Sequence, residues 1–283
     1  MNRLEGNEFS LWTSYVYSIT RITLDASKGY LIETRLAALL RETGSQTYKE
    51  LLAKVTADGT GALKRKVIAA ITTNETSFFR DASPFEMLRH KVLPDLVDAR
   101  RRQLGKDRPL TLRIWSAACS TGQEVYSTAI ACRETLPDAN KFDVRILGTD
   151  ISDKVIAQAS YGKYTKLEID RGFPPEKLGA YFQADGSDFR VRDSIRAMAT
   201  FKTINLLEPL SFPVKFDIIF CRNVAIYFSE ADKSRLYDGI SRVLATDGCL
   251  VIGSTESLTG ISRRFESKRH MRSVFYQLGS TNS

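Results

Sequence analysis

Up to about residue 80, apolar positions recur every three or four residues, the period of helices with one buried face. Phe9, Trp12, Val16 and Ile19 form one stripe, Ile32, Leu36, Leu39 and Leu40 a second, and Leu63, Val67, Ile68 and Ile71 another. Gly44 follows the second stripe, where a left-handed C-terminal cap belongs. A further helix is expected near Pro84, with Ser83 as N-cap, Pro84 as first helical residue and Glu86 closing a capping box. After residue 110 the pattern changes. Leu112–Ala117, Val144–Thr149, Phe216–Cys221 and Cys249–Gly253 are near-continuous apolar runs of strand length, followed by a late β segment at Ser273–Leu278. Helical patterns at Gln123–Glu134, Asp153–Ser160 and Glu230–Ala245 separate them, the last with Leu236, Ile240, Val243 and Leu244 on one face. This alternation predicts a parallel sheet covered on both sides, a Rossmann-like α/β architecture whose ligands bind at the carboxyl ends of the strands.

One interval breaks the alternation. Residues 163–204 carry Phe173-Pro174-Pro175, a helix-like KLGAYF, and β-like pieces at Phe189–Arg192 and Met198–Thr203. They predict a small antiparallel β insertion, placed for recognition rather than chemistry. The expected division is therefore an N-terminal all-helical domain over 1–82, a linker helix and basic linker over 83–109, and an α/β domain over 110–283 that contains the 163–204 insertion. The linker ends in the basic, Gly- and Pro-containing stretch Arg100–Pro109.

Composition narrows the chemistry. No apolar run in the 283 residues approaches the ~20 needed to span a bilayer, and no signal-peptide pattern opens the chain, so a cytoplasmic protein without direct membrane insertion is expected. Cys119, Cys132, Cys221 and Cys249 have no C-x-x-C spacing and lie in apolar stretches, which predicts free buried thiols and no metal. With only two histidines, His90 and His270, a His-based triad or metal centre is disfavoured. The formal charge of +8 suits acidic partners or nucleic acid, with clusters at Lys64-Arg65-Lys66, Arg100-Arg101-Arg102 and Arg263-Arg264 that read equally well as solvated faces. No zinc-finger, RRM or KH signature accompanies them.

The turn after the first strand reads AACSTGQE. It has one glycine, Gly122, and lacks the G-x-G-x-x-G that seats a pyrophosphate on a helix N-terminus. Small Ala117, Ala118 and Ser120 still let backbone approach a ligand, which favours a nucleoside without phosphates over a dinucleotide. Glu124 fits a capping box begun by Thr121 as well as it fits a ligand contact. Asp150 closes RILGTD outside the sheet, placed to accept from both hydroxyls of a ribose, while Ser152 is the better cap for the helix that follows. FDIIFCRN puts Arg222 and Asn223 at the same edge, with Tyr227 shortly after; Cys221 has no adjacent base and reads as core. In TNETSFFRD, Phe78 and Phe79 read as packing residues. Asn74, Thr76 and Arg80 can turn into a pocket, although Arg80 can equally pair with Glu75 or Asp81.

Together these segments resemble the chemotaxis receptor methyltransferases, the CheR family, from about Ile71 to the C-terminus. TNETSFFRD, RIWSAACSTGQEVYS, ILGTDIS, FPPEKLGAYF, INLL, FDIIFCRNVAIYF and GCLVIGSTESL carry the resemblance in order. It implies transfer of a methyl group from S-adenosylmethionine to glutamate side chains on the cytoplasmic helical domain of chemoreceptors, with S-adenosylhomocysteine as product. It implies that Asn74, Thr76, Arg80, Glu124, Asp150, Asn205, Leu206, Arg222 and Asn223 line the cofactor site, and that Arg80 and Tyr227 lie beside the transferred methyl. The 163–204 interval then resembles the family's small β-subdomain, which in some members seats a receptor C-terminal peptide, and the N-terminal helices its receptor-facing domain. Gln123 and Val125 depart from the common Glu and Pro, Thr246-Asp247-Gly248 replaces a Pro-Gly-Gly turn, and residues 1–60 match only loosely. Two rivals are a nucleic-acid methyltransferase and a non-catalytic cofactor-sensing module. The first is disfavoured because CRNVAIYF stands where adenine amino-methylating enzymes carry a Pro-Pro-Tyr-type motif. A dehydrogenase is undercut by the missing glycines.

Overall fold

A computed structural model describes residues 3–25, 28–105, 108–138 and 140–279. Lys106 and Asp107 of the basic linker lie outside them. The first four helices are α1 (Glu8–Thr20), α2 (Gly29–Glu42), α3 (Tyr48–Ala57) and α4 (Ala62–Ile71). Their apolar stripes meet in one core in which Trp12, Val16, Ile32, Leu36, Leu51 and Val67 are fully buried. The Trp12 indole N–H donates to the Tyr48 carbonyl at 2.9 Å, which ties α1 to the start of α3. Gly44 does cap α2: it is left-handed (φ 63°), its N–H reaches the Arg41 carbonyl and the next N–H, of Ser45, reaches Leu40. The capping box expected at Ser83 does not form. Helix α5 (Ser83–Met87) begins at Ser83 itself with no side-chain cap, and the Glu86 carboxylate turns outward to Arg89 and His90. A π-helical turn, Leu88–Val92, joins α5 to α6 (Leu93–Leu104).

The α/β part runs β1 (Leu110–Ala117), α7 (Gln123–Thr135), β2 (Phe142–Asp150), α8 (Asp153–Tyr161), β3 (Lys163–Tyr164), α9 (Lys166–Asp170), α10 (Leu178–Tyr181), β4 (Phe182–Asp185), β5 (Asp188–Val191), α11 (Asp193–Arg196) and β6 (Ala199–Thr203). It closes with β7 (Phe216–Cys221), α12 (Glu230–Val243), β8 (Leu244–Ile252), β9 (Phe265–His270) and β10 (Ser273–Leu278). The main sheet has seven strands in the order β6-β2-β1-β7-β8-β10-β9. β6, β2, β1, β7 and β8 are parallel, and β10 and β9 add antiparallel at one edge. β1 lies between β2 and β7, so the chain leaves its carboxyl end at the point where strand order reverses, which opens a crevice there.

Two expectations are corrected. The pattern puts Met198–Thr203 in the antiparallel insertion, but β6 pairs parallel with β2 in the main sheet; the separate sheet is β3-β5-β4. Periodicity cannot distinguish these outcomes, because five residues of strand look alike in either sheet. The helix expected to reach Ala245 ends at Val243, and Thr246-Asp247-Gly248 lies within β8 rather than in a turn. A register shift between Phe216 and Ile218 absorbs the irregularity, and Asp247 pairs with Arg100 of α6. Beside the small sheet, Phe78 packs edge-on against Tyr164, Phe173 and Phe182, so the TNETSFFRD segment is seated on the insertion.

Candidate active site

A pocket of about 950 Å³, its open mouth included, lies over the carboxyl ends of β1, β2 and β7. Asn74, Thr76, Arg80, Glu124, Asp150, Asn205, Leu206, Arg222, Asn223 and Tyr227 all line it. Six of the seven non-glycine residues with positive φ among the described ones (Arg21, Phe79, Asp81, Ala118, Ser120 and Asn223) sit on the segments around it, leaving Met271 elsewhere. Such conformations cost about 1–3 kcal/mol each and persist only where surrounding contacts over-determine them.

Those contacts are visible. The Arg222 side chain is 2% exposed and donates to the Glu124 carboxylate, the Arg80 carbonyl and the Asp81 carboxylate, each at 2.9 Å. Its guanidinium also lies 5.9 Å from the centre of the Phe85 ring. Glu124 takes a second bond from the Ser116 hydroxyl at 2.7 Å. Glu124 is thus no capping box: Gly122 is the N-cap residue of α7, without a side-chain bond, and the Thr121 hydroxyl goes to Gln123. Gly122 is required there, since it is left-handed (φ 95°) and a Cβ would stand 2.9 Å from Ala159.

Asp150 is 7% exposed, and each carboxylate oxygen accepts one backbone N–H, from Ser120 and from Ser152, both at 3.0 Å. Burial pushes its carboxyl above the usual aspartate range, and these N–H bonds partly offset the shift. The Ser152 hydroxyl does not cap α8; its backbone N–H is held by Asp150 instead.

Arg80 makes neither surface pair considered for it. Asp81 is taken by Arg222 and Glu75 by Arg171, so the Arg80 guanidinium donates only to the Glu75 carbonyl, at 2.8 Å, and meets no carboxylate among the described residues. The Tyr227 hydroxyl has no hydrogen-bond partner among the described residues, whereas its carbonyl accepts from the Thr23 N–H at 3.1 Å. Neither histidine nor lysine lines the pocket. Cys119 and Cys221 are buried, and burial raises both thiols well above their ordinary value, which leaves them un-ionised core residues. No group of residues able to hold a metal ion occurs among the described residues.

Several contributors are not among the residues that the sequence pattern singles out. Thr20 and Ile22, at the end of α1, close one side of the pocket, and the Tyr17 hydroxyl donates to Asp232 at 2.8 Å to dock that helix on α12. Only the fold brings α1 there. Glu256, beyond β8, accepts backbone N–H groups at the pocket's edge.

Comparison with known proteins agrees with this layout. Residues 74–274 match the family described as the CheR methyltransferase SAM binding domain, and residues 7–72 match the CheR methyltransferase all-alpha domain. The second match reaches into the helical region whose motifs resemble the family only loosely. The chain is 36% identical over 274 residues to chemotaxis protein methyltransferase 1 of Pseudomonas aeruginosa, covering 95% of this chain and 97% of the relative. It is 35% identical to the chemotaxis protein methyltransferase of Vibrio parahaemolyticus, covering 97% and 98%. A TehB-like SAM-dependent methyltransferase from Corynebacterium glutamicum aligns with a TM-score of 0.37 at 15% identity, over 66% of this chain and 94% of that one, a likeness too distant to bear on function.

Proposed function

The chain belongs to the CheR methyltransferase family, whose S-adenosylmethionine-binding domain spans most of it, and from that premise we propose that it methylates glutamate side chains of chemoreceptors. The products are a glutamate methyl ester and S-adenosylhomocysteine. The observation that carries the reading is the pairing, in one pocket, of a buried carboxylate suited to a ribose with an arginine that meets no carboxylate among the described residues.

The donor set fits a nucleoside without phosphates. An ionised carboxylate has about four lone-pair sites; Asp150 uses one on each oxygen for backbone, which leaves an acceptor on each for the two ribose hydroxyls. Left-handed Ala118 and Ser120 carry the turn around the ligand without a side chain larger than a hydroxyl. Asn74, Thr76, Asn205, Leu206 and Asn223 supply the remaining walls, and Glu124 and Arg222 hold those walls together. When bound, S-adenosylmethionine supplies an electrophilic sulfonium methyl.

A glutamate, with an ordinary pKa of ~4.3, is already ionised near neutral pH, so the chain need not provide a base. The absence of histidine and lysine from the lining fits that economy. Arg80 orients the incoming carboxylate with its free N–H groups, and the Tyr227 hydroxyl donates to the second oxygen. Both keep the charge on the attacking atom, because a full bidentate clamp would quench it. Alignment and removal of water provide the rate; well-oriented reactants save roughly 7–11 kcal/mol of barrier.

The partner surfaces belong to the same proposal. The helical domain faces the receptor, whose helices lie in the cytoplasm, and no described helix here is long and apolar enough to cross a membrane. β4 is an edge strand of the small sheet, and an exposed edge can take an extended receptor C-terminal peptide as a further strand. Nothing in the family or in the relatives favours nucleic acid or a purely sensing role. The test is transfer of radiolabelled methyl from S-adenosylmethionine into a panel of chemoreceptor cytoplasmic domains, with RNA and DNA alongside. Base-labile label in a receptor is expected; label only in nucleic acid, or none in any receptor, overturns the reading.

A further inference from the structure

The chain leaves two adjacent parallel strands at the pocket, and one side chain gathers both exits. β7 and β8 run in register to Cys221 and Ile252, so Asn223 and Gly253 emerge side by side. The Glu256 N–H donates to the Gly253 carbonyl at 3.0 Å, closing a tight turn that brings Glu256 back over the strand ends. One carboxylate oxygen of Glu256, Oε2, then accepts the Asn223 N–H at 2.8 Å and the Gly253 N–H at 2.7 Å. The fit leaves no slack: a Cβ on Gly253 would stand 2.5 Å from that oxygen, 2.8 Å from the Asn223 side-chain nitrogen Nδ2 and 3.2 Å from its backbone nitrogen. Asn223 itself is left-handed (φ 57°) and lines the pocket. The other oxygen, Oε1, is buried and has no hydrogen-bond partner among the described residues. A buried acceptor left unpaired is unfavourable, so a carboxylate held this way reflects the demand for Oε2 at the two strand exits rather than general packing.

We propose that Glu256 is a positioning residue for cofactor binding: by holding the N–H groups of Asn223 and Gly253 it fixes the strained backbone that aims Asn223 into the pocket. The inference rests on the methyltransferase reading only in naming the ligand. Asparagine tolerates the left-handed region better than most residues, but something must select that conformation over the extended one. The two converging bonds do so, and a charged acceptor makes them about twice as strong as a neutral one.

Calorimetric titration with S-adenosylmethionine, alongside steady-state kinetics, tests this. Glu256→Ala is expected to weaken binding about tenfold, and Glu256→Gln, which keeps a neutral acceptor, to recover most of it. In an Asn223→Ala background, Glu256→Ala is expected to add less than a twofold loss, because the group it positions is gone. Unchanged affinity with only a lowered thermal midpoint, or the same loss in both backgrounds, overturns the proposal. Should Glu256→Ala not fold, Glu256→Asp decides: its shorter side chain withdraws the acceptor, so a several-fold loss supports the role and wild-type affinity ends it. Failure of the wild-type chain itself to bind S-adenosylmethionine would count against the methyltransferase reading and not against Glu256.

Discussion

Two arginines are drawn into carboxylate networks at opposite ends of the main sheet, and the contrast between them separates holding a fold together from shaping a site. Arg100 of α6 reaches the early part of β7 and β8, where it bonds the carboxylates of Asp217 and Asp247, and Asp217 also accepts the Arg113 N–H of β1. The partners there lie on a helix and on strands of the main sheet, with Asp217 and Asp247 at the register shift between β7 and β8 and with no left-handed non-glycine residue among them. Arg222, at the carboxyl end, binds one carboxylate from a helix start and one from a loop, plus a loop carbonyl. Around it stand left-handed Phe79, Asp81, Ala118, Ser120 and Asn223. The same chemistry therefore closes the sheet at one end, and at the other holds strained backbone in a shape that loops alone would not keep.

Removing Arg222 should have the largest effect. Arg222→Met leaves the Glu124 and Asp81 carboxylates without their cation, and breaking a buried pair costs about 3–5 kcal/mol. Denaturant unfolding is expected to show that loss together with undetectable methyl transfer. Variant protein with full activity would mean that the loops hold themselves. Arg100→Met should destabilise by about 3 kcal/mol, for the same reason, yet leave affinity for S-adenosylmethionine within about twofold. A large affinity loss would erase the distinction between the two ends. Its pH dependence adds a check. Arg100 holds the Asp247 carboxyl below the usual range, so the stabilisation is present above the unfolded value of ~3.9 and disappears as pH falls through the lowered folded value. The wild-type and Arg100→Met stability curves should accordingly converge in acid.

Gly172 tests the site from the side of the small sheet. A Cβ there would lie 2.2 Å from the Phe78 carbonyl, in the segment that carries Arg80. Gly172→Ala should lower kcat about tenfold, the consequence of moving a reacting group by a fraction of its working distance. Gly179→Ala, with nothing within 4 Å, should not. The smallest expected effect is a titration. Burial raises the Asp150 carboxyl, and the proposed ribose contact needs it ionised, so affinity for S-adenosylmethionine should fall as pH drops through a value above the usual aspartate range. Calorimetry across that range checks it; affinity flat to the ordinary aspartate value would remove Asp150 from the ribose role.

What the sequence alone determined was local and periodic. The stripes of α1, α2 and α4, the apolar runs of β1, β2 and β7, and Ser273–Leu278 follow from side chains a few residues apart. The glycine-poor turn and the carboxylate at Asp150 likewise point to a nucleoside ligand from local residues alone. Helix α3 carries the same kind of stripe, Tyr48, Leu51 and Val55, over a span as long as that of α4. Tertiary structure decided what depends on meetings between distant segments. Met198–Thr203 joins the main sheet because β2 offers it a parallel edge, and Arg80 meets no carboxylate among the described residues because Arg222 and Arg171 claim Asp81 and Glu75. Thr20 and Ile22 reach the pocket only through docking, and Glu256 its edge only through a turn. Periodicity reports which face of an element is apolar and carries no information about what that face will meet.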